Sequence, residues 1–419
     1  MQKFWVCGGK PLTGTLRVQG AKNSVLPLLA ASLLCGENNV QLLDVPQLSD
    51  VTVALEILRQ LDCGVWFTEE GLWLDTTRAR SARVSARLCC RMRSSILFLG
   101  PLLARFGRAE LSFPGGCVLG ERPIDLHIGA LEQMGAVFRF DGENLCATCA
   151  ALHGAQIHLT YPSVGATENV LMAACLAKGE TVLYNRAVEP EIDDLIDFLC
   201  RMGADITCYP DCVRVRGVPT LVGCCKAVMP DRIVAYTMLA AALATDGKIT
   251  LENCPVKSLG TPLEVLAQAG GAVCRRGQCL TARRAGPFVL PVEEIVSGPY
   301  PAFPTDDGAV TMALLSLAQG DSHFSETVFS DRFKIVYELR RLGADITVSG
   351  QRARIRGVDK LYGNTVTATD LRAGAALLVA ALAAEGESVI GGAEYIKRGY
   401  ETVVANFSEL GAQITERSE

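Results

Sequence analysis

The sequence predicts an α/β protein built from six similar repeats that form two halves. Its 419 residues are 49 % apolar and 20 % charged, a composition that suits two packed domains and excludes a disordered chain. A phrase of the form Leu-x-x-Leu or a near variant, usually followed by Gly-Ala, occurs once per repeat. It begins at Leu58, Leu131, Leu199, Leu266, Leu339 and Phe407, and the last three positions follow the first three at a constant interval of 208 residues. The constant interval predicts a duplicated trio of repeats.

Each repeat is predicted to hold two helices of different character, with short strands between and after them. The first helix is an apolar run, and we expect it to end at a capping glycine. These glycines are Gly36, Gly107, Gly179, Gly247, Gly320 and Gly386. Runs such as 237–244 and 373–384 are apolar on nearly all sides, which predicts helices buried inside each half. The second helix, as in 191–202, carries one polar face and should pack on the outside.

The charge balance and the apolar stretches argue against two classes of partner. The 40 basic residues are outnumbered by 45 acidic ones, for a net charge of −5, so no global basic field exists to hold nucleic acid. The most apolar stretch, 373–384, is too short to span a bilayer. Residues 1–9 lack the charged region and apolar core of a secretion signal. We therefore expect a cytoplasmic protein without membrane insertion.

The 17 cysteines are predicted to be reduced thiols, because their number is odd and no export signal accompanies them. Cys146 and Cys149, with His153 and His158 nearby, have a spacing that metal sites use, but a structural zinc site usually needs a second pair. Since no such pair follows, we interpret these residues as ordinary core positions. We expect neither a metal nor a cofactor.

Polar residues recur where the first helices should begin. The positions 14 residues before the capping glycines are Lys22, Arg93, Gly165, Ile233, Asp306 and Arg372. A helix N-terminus carries unpaired N–H groups and a partial positive charge, so cations at this end oppose the helix dipole. We interpret Lys22, Arg93 and Arg372 as signs of a polyanionic ligand. The alternative for each of them is a solvated helix start.

Three arginines and one cysteine are further candidates. Arg122, Arg332 and Arg398 lie seven to nine residues before the second-helix phrase, and the guanidinium fork suits phosphate and carboxylate. Surface ion pairs are the alternative for these arginines. Cys117 lies in a loop with glycines at 115, 116 and 120, where the nearby Arg122 favours a thiolate and Glu121 opposes it. Cys117 is thus a candidate acid or nucleophile, with an inert loop cysteine as the alternative.

Seven short motifs occur in an order and spacing that is far more specific than any one of them. They are Gly20-Ala-Lys-Asn23, Pro114-Gly-Gly-Cys117, Gly120-Glu-Arg-Pro-Ile-Asp-Leu-His127, Pro301-Ala-Phe-Pro-Thr-Asp306, Glu326-Thr-Val-Phe-Ser-Asp-Arg-Phe333, Thr369-Asp-Leu-Arg372 and Arg398-Gly-Tyr-Glu401. Together they resemble, essentially from end to end, the family of UDP-N-acetylglucosamine 1-carboxyvinyltransferases, which are enolpyruvyl transferases.

The resemblance implies a fold and a reaction. The fold is a two-domain inside-out α/β barrel, with three βαβαββ repeats around buried helices in each domain and the substrate between the domains. The implied domains are 21–229, which carries the Cys117 loop, and 230–419, which the N-terminal strand 1–20 completes. The implied reaction transfers the enolpyruvyl group of phosphoenolpyruvate to the 3-hydroxyl of UDP-N-acetylglucosamine and releases phosphate. This is the first committed step of peptidoglycan synthesis, and it requires an acid, a base and fixed cations.

The resemblance also implies site residues, matched motif by motif. Cys117 would be the general acid and the carrier of a covalent enolpyruvate adduct, Asp306 would accept the sugar proton, and Lys22 and Arg398 would complete the catalytic set. The implied phosphoenolpyruvate site consists of Lys22, Asn23, Arg122, Arg332, Arg372 and Arg398. The implied UDP-N-acetylglucosamine site consists of Asn23, Arg93, Arg122, Pro123, Ile124, Asp125, Leu126, Ser163, Val164, Asp306 and Val328.

Three other functions fit parts of the sequence. The related shikimate-pathway enolpyruvyl transferase lacks the loop thiol, so Cys117 argues against it. A catalytically silent paralogue that senses UDP-sugars would need neither an acid nor a base, so the presence of Cys117 and Asp306 disfavours it. An RNA-end-processing cyclase is disfavoured by the acidic charge balance.

Overall fold

The computed structural model describes residues 2–113 and 124–418, and the contacts within it divide the chain into two compact units. The first unit consists of residues 20–113 and 124–229, and the second of residues 2–19 and 230–418. Cys117, Arg122 and Pro123, three of the predicted site residues, lie outside the described residues.

The first unit contains two four-stranded sheets and one three-stranded sheet. In hydrogen-bonding order, their strands are Cys225–Ala227, Val40–Leu43, Gly71–Asp75 and Gly64–Thr68; then Arg108–Ser112, Asn144–Thr148 and Val137–Asp141; then Gln156–His158, Glu180–Tyr184, Cys212–Arg216 and Asp205–Cys208. A separate two-stranded ladder joins Leu221–Val222 to Cys35–Glu37. Two of the sheets begin with a parallel pair, and a parallel bridge between Arg83 and Glu110 takes the corresponding place in the three-stranded sheet.

The second unit repeats this pattern in three four-stranded sheets. Their strands are Gly271–Arg276, Cys279–Arg284, Lys248–Glu252 and Thr13–Arg17; then Ile295–Val296, Asp321–Ser325, Arg352–Arg356 and Asp345–Ser349; then Thr365–Thr367, Glu387–Gly391, Gln2–Cys7 and Gln413–Ser418. Each sheet has one parallel pair. The first strand of the chain lies antiparallel to both of its neighbours, with Phe4 opposite Ile390 and Glu416.

Each unit has a set of central helices and a set of outer helices. The central helices are Lys22–Ala31, Leu99–Phe106 and Val164–Ala174 in the first unit, and Arg232–Ala244, Thr305–Leu315 and Leu371–Ala383 in the second. The outer helices are Ser49–Gln60, Asp125–Gln133, Pro190–Arg201, Val256–Gln268, Ile335–Arg341 and Val403–Glu409. Shorter helices are Ala86–Cys89 and Ala393–Ile396, and 3-10 helices are Ser32–Leu34, Arg93–Phe98 and Ser330–Lys334.

The central helices form the interior, as the apolar runs predict. Every residue of Arg232–Ala244 is buried, and this helix contacts both Thr305–Leu315 and Leu371–Ala383. Several strands bury one face only; Glu387–Gly391, for example, alternates between exposed or half-buried and buried positions. Helices inside and sheets outside are the arrangement that the resemblance implies for each domain. Within the described ranges, no helix is long and apolar enough to cross a membrane.

The repeated phrase marks the ends of the outer helices. Its first residue is completely buried in all six repeats. The following glycines, Gly135, Gly203, Gly270, Gly343 and Gly411, have φ between 87° and 101°, and Asp62 takes this place in the first repeat with φ of 68°. In this left-handed conformation a side chain is strained, which favours glycine and, less strongly, aspartate. The phrase is therefore a helix stop signal.

The expected glycine caps of the first helices are right at Gly107 and wrong elsewhere. Gly107 has φ of 65° and ends Leu99–Phe106. In Arg232–Ala244 the left-handed residue is Asp246, with φ of 55°, and Gly247 N–H then donates to Ala242 O at 2.7 Å. Glycine is needed at 247 for another reason, since a Cβ there would lie 2.1 Å from Leu12 O. The other four helices end several residues before their glycines.

The six positions counted back from those glycines nevertheless lie at helix starts. Lys22 and Arg93 are first residues of a helix, and the other four, Gly165, Ile233, Asp306 and Arg372, are second residues. The repeat length is thus preserved even though the last turns of the helices differ.

Candidate active site

A charged cluster lies where two central helices of the second unit begin. Asp306, in the first turn of Thr305–Leu315, accepts a hydrogen bond from Arg332 Nη2 at 2.7 Å on Oδ1 and from Arg372 Nη2 at 2.9 Å on Oδ2. Asp370 caps the neighbouring helix by accepting from the backbone N–H groups of Arg372 and Ala373. We call Asp306, Arg332, Asp370 and Arg372 the Asp306 cluster.

One nitrogen of the Arg332 guanidinium makes no hydrogen bond among the described residues. Its residue is 3 % exposed, and Nε donates to Thr305 Oγ1 at 3.2 Å. Nη1 is buried without a hydrogen-bond partner among the described residues and lies 3.9 Å from Asp370 Oδ1. A buried donor without a partner is unfavourable, so an anionic oxygen that reached this atom would be bound well.

Arg372 keeps its charge although it is buried. Burial lowers its pKa, but the Asp306 carboxylate, followed by Tyr400 and Asp231, raises the pKa above the ordinary value for arginine. Asp306 and Asp370 also offset the unfavourable helix-dipole position that we interpreted as a sign of a ligand. The counter-charges of Arg372 come from the second unit itself, so its position alone does not require a bound anion.

Glu326 organises the segment that leads to Arg332. Its residue is buried, and Oε1 accepts from Ser297 Oγ and from the backbone N–H groups of Val328 and Phe329. Oε2 accepts from Thr305 Oγ1 at 2.7 Å. This carboxylate therefore fixes the backbone at Val328, a predicted site residue, relative to the start of the Asp306 helix.

Arg398 and Tyr400 follow the short helix Ala393–Ile396. Arg398 is half-buried, and its backbone N–H donates to Tyr395 O at 3.2 Å. Tyr400 is buried, and its hydroxyl lies 2.7 Å from Thr237 Oγ1 on a central helix. Burial raises the pKa of Tyr400 to about 12, so the phenol is neutral at physiological pH.

In the first unit, Lys22 is held at the start of a central helix. Lys22 Nζ lies 2.7 Å from Asp50 Oδ2, and both side chains are largely buried. Ser24 in the same turn donates to Asp194, which is ion-paired with Lys226 at 2.8 Å. Two acidic residues from outer helices thus fix the turn that carries Lys22 and Asn23.

A second group in the first unit surrounds a buried histidine. His127 lies in Asp125–Gln133, and its Nδ1 is 2.9 Å from Asn169 Nδ2. Burial, and next the charge of Arg93, lower the pKa of His127 to about 4, while Asp125 raises it. The ring is therefore neutral, and the amide contact assigns Nδ1 as acceptor and Nε2 as the protonated nitrogen.

Several of the predicted nucleotide-sugar residues of the first unit lie near this histidine. A Cβ at Gly165 would be 3.0 Å from the His127 ring, and the preceding Ser163 caps the same helix by accepting from Ala166 N–H. Burial lowers the pKa of Arg93, which begins a 3-10 helix. Asp125 begins the helix of His127, and Ile124 precedes it. Sequence reasoning gave no role to Asn169, nor to His127, although His127 ends one of the seven motifs.

The lowered pKa of His127 predicts acid sensitivity. Below about pH 6.5 an unfolded histidine binds a proton, whereas the folded one does not until about pH 4. The free energy of unfolding should therefore fall by roughly 2–3 kcal/mol over this window. His127→Asn keeps an acceptor near Asn169 and should flatten this dependence. Chemical unfolding at several pH values measures it, with His323→Asn as the control; equal slopes for wild type and His127→Asn would contradict it.

The structure brings together some predicted residues and adds new ones. In the second unit it joins Asp306, Arg332 and Arg372, and in the first unit it places Arg93, Asp125 and the Ser163–Val164 turn near His127. Leu126 follows Asp125 in the same helix. Besides His127 and Asn169, the residues to which sequence reasoning gave no role are Asp50, Glu326 and Asp370. Only Asp370 had a usable signal, because aspartate directly before an apolar helical run is a common N-cap.

Comparisons with known proteins give a consistent result. A sequence model of the EPSP synthase (3-phosphoshikimate 1-carboxyvinyltransferase) family matches residues 6–407. The UDP-N-acetylglucosamine 1-carboxyvinyltransferase of Lawsonia intracellularis is 43 % identical over 425 residues, covering 100 % of both chains. The enzyme of that name from Oleidesulfovibrio alaskensis is 44 % identical over 415 residues, or 99 % of each chain.

One solved structure of a related fold covers the whole chain. The enolpyruvyl transferase NikO from Streptomyces tendae matches with a TM-score of 0.91 at 24 % identity, over 100 % of this chain and 99 % of that one. At this identity the likeness concerns the fold, and it agrees with the α/β architecture described above.

Proposed function

Because this chain belongs to the UDP-N-acetylglucosamine 1-carboxyvinyltransferase family of enolpyruvyl transferases, we propose that it transfers the enolpyruvyl group of phosphoenolpyruvate to the 3-hydroxyl of UDP-N-acetylglucosamine and releases phosphate. The chain would thereby catalyse the first committed step of peptidoglycan synthesis, in the cytoplasm. The observation that carries this proposal is the identity of 43–44 % with relatives of that name along the whole chain.

The proposed reaction needs two proton transfers in its addition step and a third in its elimination step, in which C3 loses a proton as the bond between C2 and the phosphate oxygen breaks. When the sugar hydroxyl adds to C2 of phosphoenolpyruvate, a proton must reach C3 and another must leave the hydroxyl. Asp306 is the proposed base. Its side chain is 26 % exposed, so substrate can reach it, while the guanidinium groups of Arg332 and Arg372 fix its orientation. Cys117 is the proposed acid, and it would carry the enolpyruvate adduct through a bond between its sulfur and C2.

The anionic groups of phosphoenolpyruvate need fixed cations. We assign the carboxylate to Arg332, Arg372 and Arg398, and the phosphate to Lys22, Arg122 and Arg398, with Asn23 beside Lys22. The buried Nη1 donor of Arg332 supports the first assignment. Preorganised cations of this kind stabilise the charge that develops on phosphate as it leaves.

The nucleotide sugar is assigned to residues at helix starts. They are Asn23, Arg93, Arg122, Pro123, Ile124, Asp125, Leu126, Ser163, Val164, Asp306 and Val328. The grouping of Arg93, Asp125 and Ser163 near His127 supports this assignment, because helix N-termini and a half-buried arginine suit a diphosphate. We also propose that the three-repeat domains are 21–229 and 230–419, the latter with 1–20.

Phosphate release tests the function against its alternatives. We expect the wild-type protein to release phosphate from phosphoenolpyruvate only when UDP-N-acetylglucosamine is present, and not with shikimate 3-phosphate. If phosphate is released only when shikimate 3-phosphate is the acceptor, the protein has the shikimate-pathway activity. If phosphate is released with neither acceptor, the protein is a silent sugar sensor. Mass spectrometry after incubation with phosphoenolpyruvate should detect an adduct on wild type and none on Cys117→Ser. An adduct of equal yield on Cys117→Ser would remove Cys117 from its proposed role.

A further inference from the structure

Asp307 is a buried acid that the proposed reaction does not use. It follows Asp306 in the first turn of Thr305–Leu315, and its residue is 1 % exposed. Neither carboxyl oxygen has a hydrogen-bond partner among the described residues. Its backbone carbonyl, by contrast, accepts from Thr311 Oγ1 at 2.9 Å, a bond that holds the helix but leaves the side chain unsatisfied. An ionised carboxylate in such a place is strongly unfavourable.

Charged residues at the starts of three central helices act on Asp307. Arg232 on one central helix and Arg372 on another attract its ionised form, whereas Asp306 and Asp231 repel it. Burial is the largest of these influences, and together they raise the pKa of Asp307 well above its ordinary value. The nearby phenols of Tyr236 and Tyr400 experience its charge as well. Asp307 therefore carries a proton under conditions in which exposed aspartates are ionised.

The position of Asp307 links its charge to the Asp306 cluster. Arg372, whose pKa depends first on burial and then on Asp306, is also one of the two cations that act on Asp307. A proton on Asp307 leaves the charge of Arg372 available to Asp306 and to an incoming anion. Loss of that proton adds a negative charge beside the same guanidinium, and this charge competes with the anion.

We propose that Asp307 is a positioning residue whose charge sets how strongly the Asp306 cluster binds the carboxylate of the enol phosphate substrate. Uncharged, Asp307 leaves the positive charge of Arg372 available to that carboxylate. Ionised at higher pH, it weakens the binding. The inference rests on the proposed function only for the choice of ligand, since any carboxylate that binds the cluster would experience the same charge.

The test is direct binding of phosphoenolpyruvate, without the acceptor sugar, by isothermal titration between about pH 6 and about pH 9. Wild type is compared with Asp307→Asn and with Asp359→Asn, which removes an exposed aspartate of the same unit. The ratio of wild-type to variant Kd cancels the titration of the ligand itself. For Asp307→Asn we expect a ratio near 1 where Asp307 is protonated and a rise toward about tenfold once it ionises as the pH increases. For Asp359→Asn the ratio should stay near 1 throughout.

A ratio for Asp307→Asn that does not change with pH would overturn the proposal. So would a wild-type protein that binds no phosphoenolpyruvate at any pH, because the cluster would then not be an anion site. If Asp307→Asn does not fold, Asp307→Ser serves in its place, since it also removes the charge in a smaller side chain. Wild type that binds phosphoenolpyruvate but never releases phosphate would contradict the proposed function and leave the Asp307 comparison intact.

Discussion

Asp306→Asn is expected to lower kcat by about 10²–10⁴-fold, the usual contribution of a general base. The amide keeps the size of the side chain but cannot accept a proton from the sugar hydroxyl. It also presents one N–H group to guanidinium donors that now bond two carboxylate oxygens, at 2.7 Å to Arg332 and 2.9 Å to Arg372. Steady-state kinetics at saturating concentrations of both substrates measures the loss.

A control separates loss of the base from loss of structure. Asp345→Asn removes a carboxylate that makes an exposed ion pair with Arg356 in the same unit, and exposed pairs contribute little to stability. This variant should keep wild-type kcat. Thermal unfolding of both variants completes the comparison. If Asp306→Asn is folded and retains more than about a tenth of wild-type kcat, Asp306 is not the base.

The periodic part of the fold can be predicted because the same local sequence signals recur in each repeat. The residue after an outer helix needs positive φ, and glycine supplies it at five of six positions. Runs that are apolar on all sides predict the buried helices. The failures have the same origin: Asp62 and Asp246 adopt the left-handed conformation without being glycine, so a rule based on glycine alone misplaces the ends of the helices.

The site was predicted less completely because its partners are distant in sequence. Asp306 bonds Arg332, 26 residues away, and Arg372, 66 residues away. Local dipole reasoning identified Arg372 as an unfavourably placed cation, but it could not include Asp306, which another helix supplies. Lys22 shows the same pattern with Asp50. Charges at helix starts therefore indicate where charged clusters lie and are poor guides to the net charge of those clusters.

Arg332→Lys is expected to raise the KM for phosphoenolpyruvate by roughly 10- to 100-fold, the range for losing a charge-assisted or bidentate contact. Lysine keeps the positive charge but has one point donor group in place of a fork. Arg332 now uses Nη2 for Asp306 and Nε for Thr305, which leaves Nη1 for the ligand. A lysine ammonium that keeps its ion pair with Asp306 cannot also donate from the position of Nη1, so the substrate carboxylate loses its donor.

The split between the two substrates makes this prediction specific. The KM for UDP-N-acetylglucosamine should change by less than about threefold, because the assigned contacts of the sugar nucleotide do not include Arg332. Arg354→Lys is the matched control, since Arg354 pairs with Asp321 on an exposed strand face, and it should alter neither KM. Equal increases in both KM values for Arg332→Lys would indicate a general distortion of the second unit. An unchanged KM for phosphoenolpyruvate would show that the reserved Nη1 donor serves another purpose.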